Sequence, residues 1–344
     1  MIRVSFQTLQ IQKLYPLMIS RGVMTSSENL FVSVTDGTHT GIGELSPATG
    51  SAWTAERGQE QLEAFATEDI SANPYENYIR MRRAYIDPPA MAALDIALWD
   101  LLAKKANMPL YKMLGLPKSE HPTSVTIGIN PPEVTKERVP AILSSTGAKC
   151  LKIKLGSPEG RDHDKEHFLA AASAAKPFGA NLRVDANGGW TVSEAISMCA
   201  WLADQGVDYV EQPLAEGQED GLPDIFTNRP LPIFIDETIR FAPDVLTVAD
   251  RADGINLKLM KCGGITEAIR IAATARACGL QTMIGCMSET SIAIAAGAAI
   301  GGLFDYIDLD SHLNLSPDPA SGAPIVNGVI VPTDNPGHGA VLNA

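Results

Sequence analysis

No apolar run in the chain reaches the roughly 18 residues that a membrane span needs. The opening Met1-Ile2-Arg3-Val4-Ser5-Phe6 has no signal-peptide core, so a cytoplasmic protein is the expectation. Positive charge is scarce as well: 27 Lys and Arg stand against 40 Asp and Glu, a formal net charge of -13. This excludes a general nucleic-acid-binding surface and a basic belt for anionic lipid, though not a local positive site. Cysteines are few and odd in number, Cys150, Cys199, Cys262, Cys278 and Cys286, with no close CxxC pair. Reduced, mostly buried thiols follow, and a disulfide framework does not.

What is present is an ordinary globular composition, 45% hydrophobic and 19% charged, in 344 residues. That length suits a barrel of about 200 to 250 residues with a smaller partner domain. Residues 1–118 start with strand-like alternation, Leu30-Phe31-Val32-Ser33-Val34 and then His39 to Glu44, and continue into a helical stretch from Ala90 to Ala106. Pro109, Gly115 and Pro117 punctuate the boundary. Over 119–315, strand patterns alternate with helical ones: Ser124–Ile127, Cys150–Lys154, Leu182–Asp185, Tyr209–Glu211, Ile233–Asp236, Gly254–Lys258, Gln281–Gly285 and Tyr306–Leu309. Eight strands in βα alternation predict a closed parallel barrel. Residues 316–344, rich in Pro, Gly and Asn, read as a tail that packs back on the first domain.

Three successive strand patterns end on a carboxylate: Asp185, Glu211 and Asp236. Their spacing suits one strand, one helix and two loops per unit, so parallel strands bring all three to the C-terminal edge where barrel active sites lie. A single strand-end acid is commonly the cap of the next helix; three in consecutive units point to a metal. The donors are all oxygen, which implies a hard cation, Mg2+ first and Mn2+ second, and no His or Cys stands at a matching strand end to suggest zinc. Lys152 and Lys154 share one face of the preceding strand. Lys258 ends the sixth strand, across the mouth from the second, so two bases face one substrate from opposite sides.

The phrases Lys152-Ile153-Lys154, VDANGGW from Val184, VEQPL from Val210, Asp236-Glu237-Thr238, NLKLMKCGG from Asn256 and the acidic pair on strand eight fall in the order of the enolase superfamily. The chain resembles its muconate-lactonizing subgroup over nearly the whole length. The resemblance implies an N-terminal α+β capping domain, a modified (β/α)7β TIM barrel, and Mg2+ on Asp185, Glu211 and Asp236. It implies Lys154 and Lys258 as the acid/base pair of a proton abstraction alpha to a carboxylate, through an enediolate. Such a proton is weakly acidic, so a cation must hold the oxygens on which charge develops, and the base must be a neutral amine near pH 7. Burial and the charge of Lys152 are expected to push the amine down. Lys152 reads as an electrostatic aid that also reaches the substrate carboxylate, and Asn187 as a residue orienting a ligand.

Asp308 and Asp310 share a face of strand eight and make a doubly anionic spot. In the family such a pair resembles that of the dipeptide epimerases, where it binds a free α-ammonium. The expected activity is therefore Mg2+-dependent dipeptide epimerisation, an isomerase reaction. Arg21, in the segment that forms a loop over the mouth in relatives, reads as a clamp on an anionic side chain such as glutamate, which favours L-Ala-D/L-Glu. The alternatives are o-succinylbenzoate synthase, muconate cycloisomerase or N-acylamino-acid racemase chemistry, and, outside enzymes, a silent metal- or ligand-binding barrel. Thr126, Cys286, Met287 and Glu289 fall among pocket-lining positions without an assigned role. Barrels of this type often associate into homo-oligomers; the sequence does not set the state.

Overall fold

The computed structural model describes residues 2–49 and 51–343. Strands β1 (Arg3–Ile19), β2 (Gly22–Thr35) and β3 (Thr40–Leu45) form an antiparallel sheet in chain order. The β1–β2 register slips between Gln12 and Leu17, and there Lys13 bridges Leu315, close to the far end of the chain. Helices α1 (Ala55–Phe65), α2 (Pro74–Arg83), α3 (Pro88–Lys105) and α4 (Leu110–Met113) follow. Asn73 caps α2 by accepting from Tyr75 N at 3.0 Å, with Pro74 as the first helical residue.

Helix α3 has almost no polar face because it is buried on all sides. Ala92, Ile96, Trp99 and Ala103 enter the core of the barrel, while Met91, Leu94, Leu98 and Leu101 enter the core under the three-stranded sheet. Each set recurs at three- and four-residue spacing, so the helix presents one row to each side. Gly41 and Gly43 bring β3 onto this helix: a Cβ at either would stand 2.0 Å from a carbonyl oxygen, of Ala97 or Ala93.

Eight strands make the second sheet: β4 (Ser124–Ile127), β5 (Cys150–Lys154), β6 (Asn181–Asp185), β7 (Val207–Glu211), β8 (Ile233–Ile235), β9 (Gly254–Lys258), β10 (Gln281–Gly285) and β11 (Tyr306–Ile307). They pair in parallel in chain order, and a parallel bridge from Thr123 to Ile307 closes the ring. The crossovers carry α5 (Pro132–Thr146), α6 (Arg161–Ala175), α7 (Val192–Asp204), α8 (Leu222–Asn228), α9 (Ala242–Val248), the one-turn α10 (Leu259–Cys262) with α11 (Ile265–Ala277), and α12 (Ser291–Ala299). After β11 there is a short 3-10 turn, Ser311–Asn314, in place of an eighth helix. This is the (β/α)7β barrel with an α+β cap.

Two strands end earlier than their patterns suggest. β8 stops at Ile235 and β11 at Ile307, whereas the apolar runs extend to Asp236 and Leu309. Side chains take over the ladder there: Asp236 N–H donates to Gln212 Oε1 at 2.8 Å and Leu309 N–H to Thr123 Oγ1 at 2.9 Å. The barrel floor is filled by Tyr209, Phe234 and Tyr306, whose ring centroids lie 4.8 to 5.3 Å apart, with the Arg183 guanidinium 5.2 Å from the Tyr306 ring.

Polar side chains tie cap to barrel. Glu44, fully buried on β3, accepts from Asn29 Nδ2 at 2.6 Å, Thr290 N at 3.0 Å, Thr290 Oγ1 at 2.7 Å and Ala293 N at 3.2 Å, the first turn of α12. Asp95 on α3 accepts from Thr266 N at 3.0 Å and Thr266 Oγ1 at 2.5 Å. The last segment returns over the cap: Ser316 N–H donates to the Gln12 carbonyl, Leu110 N–H to the Gly337 carbonyl and His338 N–H to Asp100 Oδ1.

Candidate active site

Asp185 ends β6, Glu211 ends β7 and Asp236 follows β8 by one residue. Each is fully buried, and one carboxylate oxygen from each lies within 4.8 Å of the others. Among the described residues this is the one cluster with metal-ligand geometry. Three carboxylates repel one another in a dry site unless cations stand among them, and an all-oxygen set of this kind fits Mg2+ or Mn2+. The chain supplies cations of its own. Lys154 Nζ donates to Asp185 Oδ2 at 2.6 Å, Lys258 Nζ to Asp236 Oδ2 at 2.7 Å, and Lys152 Nζ reaches Glu211 Oε2 at 3.3 Å and Asp308 Oδ2 closer still.

At Lys152 and Lys258 these contacts run against the lowering expected from burial alone. Burial works against the Lys152 and Lys258 ammonium groups, but the surrounding carboxylates outweigh it, Asp308 and Glu211 for Lys152, Asp236 and Glu211 for Lys258. Both are held above the ordinary lysine value. Burial likewise opposes ionisation of Asp236, yet Lys258 and Lys261 keep it well below the usual carboxylate range. Glu211 goes the other way, pushed up to about 8 by burial and by the charge of Asp185.

Lys154 and Lys258 line one cavity of about 70 Å³ whose cap-side walls are Leu17, Ile19, Met24 and Pro47. A larger cavity of about 620 Å³ adjoins it, bounded by Trp53, Gly189, Gln212, Glu237 and Arg240 among others. The two share Arg21, Ala48, Thr49, Asn187 and Met287. Asn187 donates its backbone N–H to Asp185 Oδ1 at 2.8 Å and its Nδ2 to Asp185 Oδ2 at 3.1 Å, from a left-handed backbone at φ +44°. Asp308 is buried with its Oδ1 unpartnered. Asp310 Oδ2 accepts from Thr126 N at 2.6 Å, and Cys286 Sγ lies 3.8 Å from Asp310 Oδ1. Glu289 is buried and accepts from Met287 N.

Arg21 is placed differently from the open clamp expected. Its guanidinium donates to Glu237 Oε1 at 2.7 Å and to the Asn187 carbonyl at 2.9 Å, beside Ser20 Oγ, which donates to the same carbonyl at 2.7 Å. A guanidinium already neutralised by a carboxylate is a weak clamp for a second one. Lys152 touches Asp308 and Glu211, so its ammonium is committed to the protein.

Four further residues complete the site. Asn256 Nδ2 donates to Glu211 Oε1 at 2.7 Å, and Lys261 Nζ to both Oδ1 and the backbone carbonyl of Asp236. Gln212, at φ +41°, accepts from the N–H groups of Asp236 and Glu237. Glu237 receives Arg21. Asn256 was legible, since it lies two residues before Lys258 and shares its face by the argument applied to Lys152 and Lys154. Gln212 and Glu237 act from loop backbone, for which the sequence carries no periodic signal.

Residues 2–115 match the mandelate racemase / muconate lactonizing enzyme N-terminal domain, and residues 135–344 the enolase C-terminal domain-like family. Among curated relatives, one named hydrophobic dipeptide epimerase from Roseobacter litoralis is 56% identical over 99% of both chains. Another of that name from a Flavobacteria bacterium is 55% identical over 99% of this chain and 98% of its own. Among solved structures, the dipeptide epimerase of Enterococcus faecalis complexed with Mg and the dipeptide L-Leu-L-Tyr superposes with a TM-score of 0.90 at 31% identity, covering 98% of each chain.

Proposed function

Because the chain belongs to the mandelate racemase / muconate lactonizing enzyme family of the enolase superfamily, we propose from its site that it is a Mg2+-dependent epimerase of hydrophobic dipeptides. The carrying observation is the cavity that Lys154 and Lys258 line together, from strands two and six of the barrel, beside a buried carboxylate triad. Asp185, Glu211 and Asp236 are assigned to the metal. When bound, Mg2+ supplies positive charge to the substrate carboxylate and relieves the triad of its hold on the ammonium groups.

The rest is the work of the chain's own residues. Lys154 and Lys258 face the α-carbon of the C-terminal residue from opposite sides. The neutral amine of one takes the α-proton, and the ammonium of the other delivers a proton to the opposite face. The roles exchange with the configuration of the substrate. Asp308, through its unpartnered Oδ1, and Asp310 receive the α-ammonium of the N-terminal residue. Lys152 holds Asp308 and Glu211 in place, and Asn187 holds Asp185.

A hydrophobic side chain suits the cap-side walls Leu17, Ile19, Met24 and Pro47. Both relatives of highest identity given above carry that specificity in their names. The L-Ala-D/L-Glu preference expected from the sequence leans on Arg21, and Glu237 now occupies that guanidinium. Arg21 is read instead as a closure contact of the β1–β2 hairpin. Incubating a dipeptide library in D2O and reading which members gain one deuterium by mass spectrometry tests this. Deuterium in Leu-, Ile-, Phe- or Tyr-bearing dipeptides supports it; deuterium chiefly in Ala-Glu returns Arg21 to the role of clamp.

We divide the chain into a cap of residues 1–118, a barrel of 119–315 and a returning segment of 316–344. A cytoplasmic setting and self-association belong to the same reading. Fractionation and sedimentation test them.

A further inference from the structure

Each carboxylate of the triad is held by two sets of donors, and the sets differ in kind. One oxygen of each meets a lysine of the reaction cavity or its neighbour: Asp185 Oδ2 meets Lys154, Glu211 Oε2 meets Lys152 and Asp236 Oδ2 meets Lys258. The other oxygen is pinned by a group that takes no part in proton transfer. Asp185 Oδ1 accepts from the Asn187 backbone N–H at 2.8 Å, Glu211 Oε1 from Asn256 Nδ2 at 2.7 Å, and Asp236 Oδ1 from Lys261 Nζ. Asn187 Nδ2 adds a weaker contact at 3.1 Å to Asp185 Oδ2. Lys261 is 4% exposed and also donates to the backbone carbonyls of Asp236 and, at 3.3 Å, Asn256, so its ammonium is fixed by three acceptors at once.

From this we infer that Asn256 and Lys261 are positioning residues that set ion selectivity: they restrict Glu211 and Asp236 to one-oxygen ligation, which admits Mg2+ and disfavours Ca2+. Mg2+ takes six oxygens in a tight octahedron at about 2.0–2.1 Å, whereas Ca2+ takes six to eight at about 2.3–2.6 Å and readily uses both oxygens of a carboxylate. A carboxylate whose second oxygen is committed to a buried ammonium or amide cannot rotate to present both. The two ions carry equal charge, so the electrostatic effect of removing Lys261 largely cancels in their ratio and the geometric effect remains. Mn2+, which shares the octahedral preference, is retained alongside Mg2+.

The inference rests on the assignment of the triad to the ion, and the two can fail separately. Metal-stripped full-length protein is titrated with Mn2+ by electron paramagnetic resonance, then Mg2+ and Ca2+ are used as competitors, without substrate. Absence of a Mn2+ site in the wild type, or a site unaffected by Asp185→Asn, sinks the assignment itself. With the site present, Lys261→Met and Asn256→Ser are compared with wild type after circular dichroism confirms their fold. Each should shift the ratio of the Ca2+ to the Mg2+ dissociation constant toward Ca2+ by about tenfold or more, the usual scale for partners of metal ligands. Should Lys261→Met fail to fold, Asn256→Ser decides alone. A ratio within twofold of wild type in a folded variant overturns the inference.

Discussion

Asp236 concentrates the dependence of the site on charge, since it bonds Lys258 and Lys261 and belongs to the triad. Asp236→Asn swaps an anionic ligand for a neutral one of equal size, so turnover should drop by about a hundredfold while the fold persists. Chelation should abolish turnover in the wild type and Mg2+ should restore it; full activity in chelated enzyme removes the mechanism. Lys154→Ala and Lys258→Ala should both fail to epimerise yet exchange the α-proton of opposite epimers in D2O, and exchange of the same epimer by both would refute the two-face assignment. The ammonium contact is best probed at Asp310, because Asp308 also anchors Lys152 and its removal frees that ammonium. Asp310→Asn keeps an acceptor for Thr126 N and loses only charge. A charge-assisted hydrogen bond contributes on the order of 1.5–3 kcal/mol, so kcat/KM for a free dipeptide should fall about tenfold or more relative to its N-acetyl form. An unchanged ratio would show that Asp310 does not read the ammonium. The positions of the triad carboxylates and of Lys154 and Lys258 were legible because a strand end is a fixed place in a parallel barrel. Lys261 was not, although its phrase was: whether a lysine after a strand turns inward depends on the single helical turn Leu259–Cys262 and the positive-φ glycines Gly263 and Gly264 behind it.

At the level of elements, the strands of the barrel could be placed to within a few residues from their apolar runs, and α3 from its unbroken helical spacing. Their ends were harder. β8 stops where the Gln212 side chain captures Asp236 N–H, and past β11, where Asp308 N–H still bonds the Ile284 carbonyl, the Thr123 side chain captures Leu309 N–H, both contacts between residues distant in sequence. Helix α12 is a comparable case, since its own Thr290 caps it and a second acceptor comes from Glu44 of the cap. Glu44→Ala would strip acceptors from Thr290, Ala293 and Asn29 together. Each buried donor left without a partner costs about 1–3 kcal/mol, so the urea midpoint should fall clearly, with the reaction cavity affected through Cys286–Ser288 just before the helix. A midpoint equal to wild type would mean that Glu44 is dispensable to the docking of cap and barrel.

Over the whole molecule, the buried acids between cap and barrel make stability depend on pH. Asp95, fully buried between α3 and α11, is pushed up to about 7 by burial, against the donors of Thr266. The unfolded chain ionises such a group near about 3.9, so the folded state holds the extra proton between the two values. The stabilisation is fully present below about pH 4 and is lost as pH rises through about 7. Asp95→Asn has no such loss. Its stability relative to wild type should therefore improve between pH 4 and pH 8, by on the order of 1–3 kcal/mol in urea titrations. A difference that does not vary with pH would place the proton elsewhere.

The cap also has a peculiar relation to time. It occupies the first part of the chain, yet Asn29 and Glu44 find partners at Ser288, Thr290 and Ala293, Asp95 at Thr266, and Asp100 at His338. Leu110 and Met108 wait for Gly337. A ribosome delivers those partners only after most of the barrel has been made. The cap is thus made before the barrel segments that satisfy it, and a nascent chain halted inside the barrel holds a cap whose buried acids still face water.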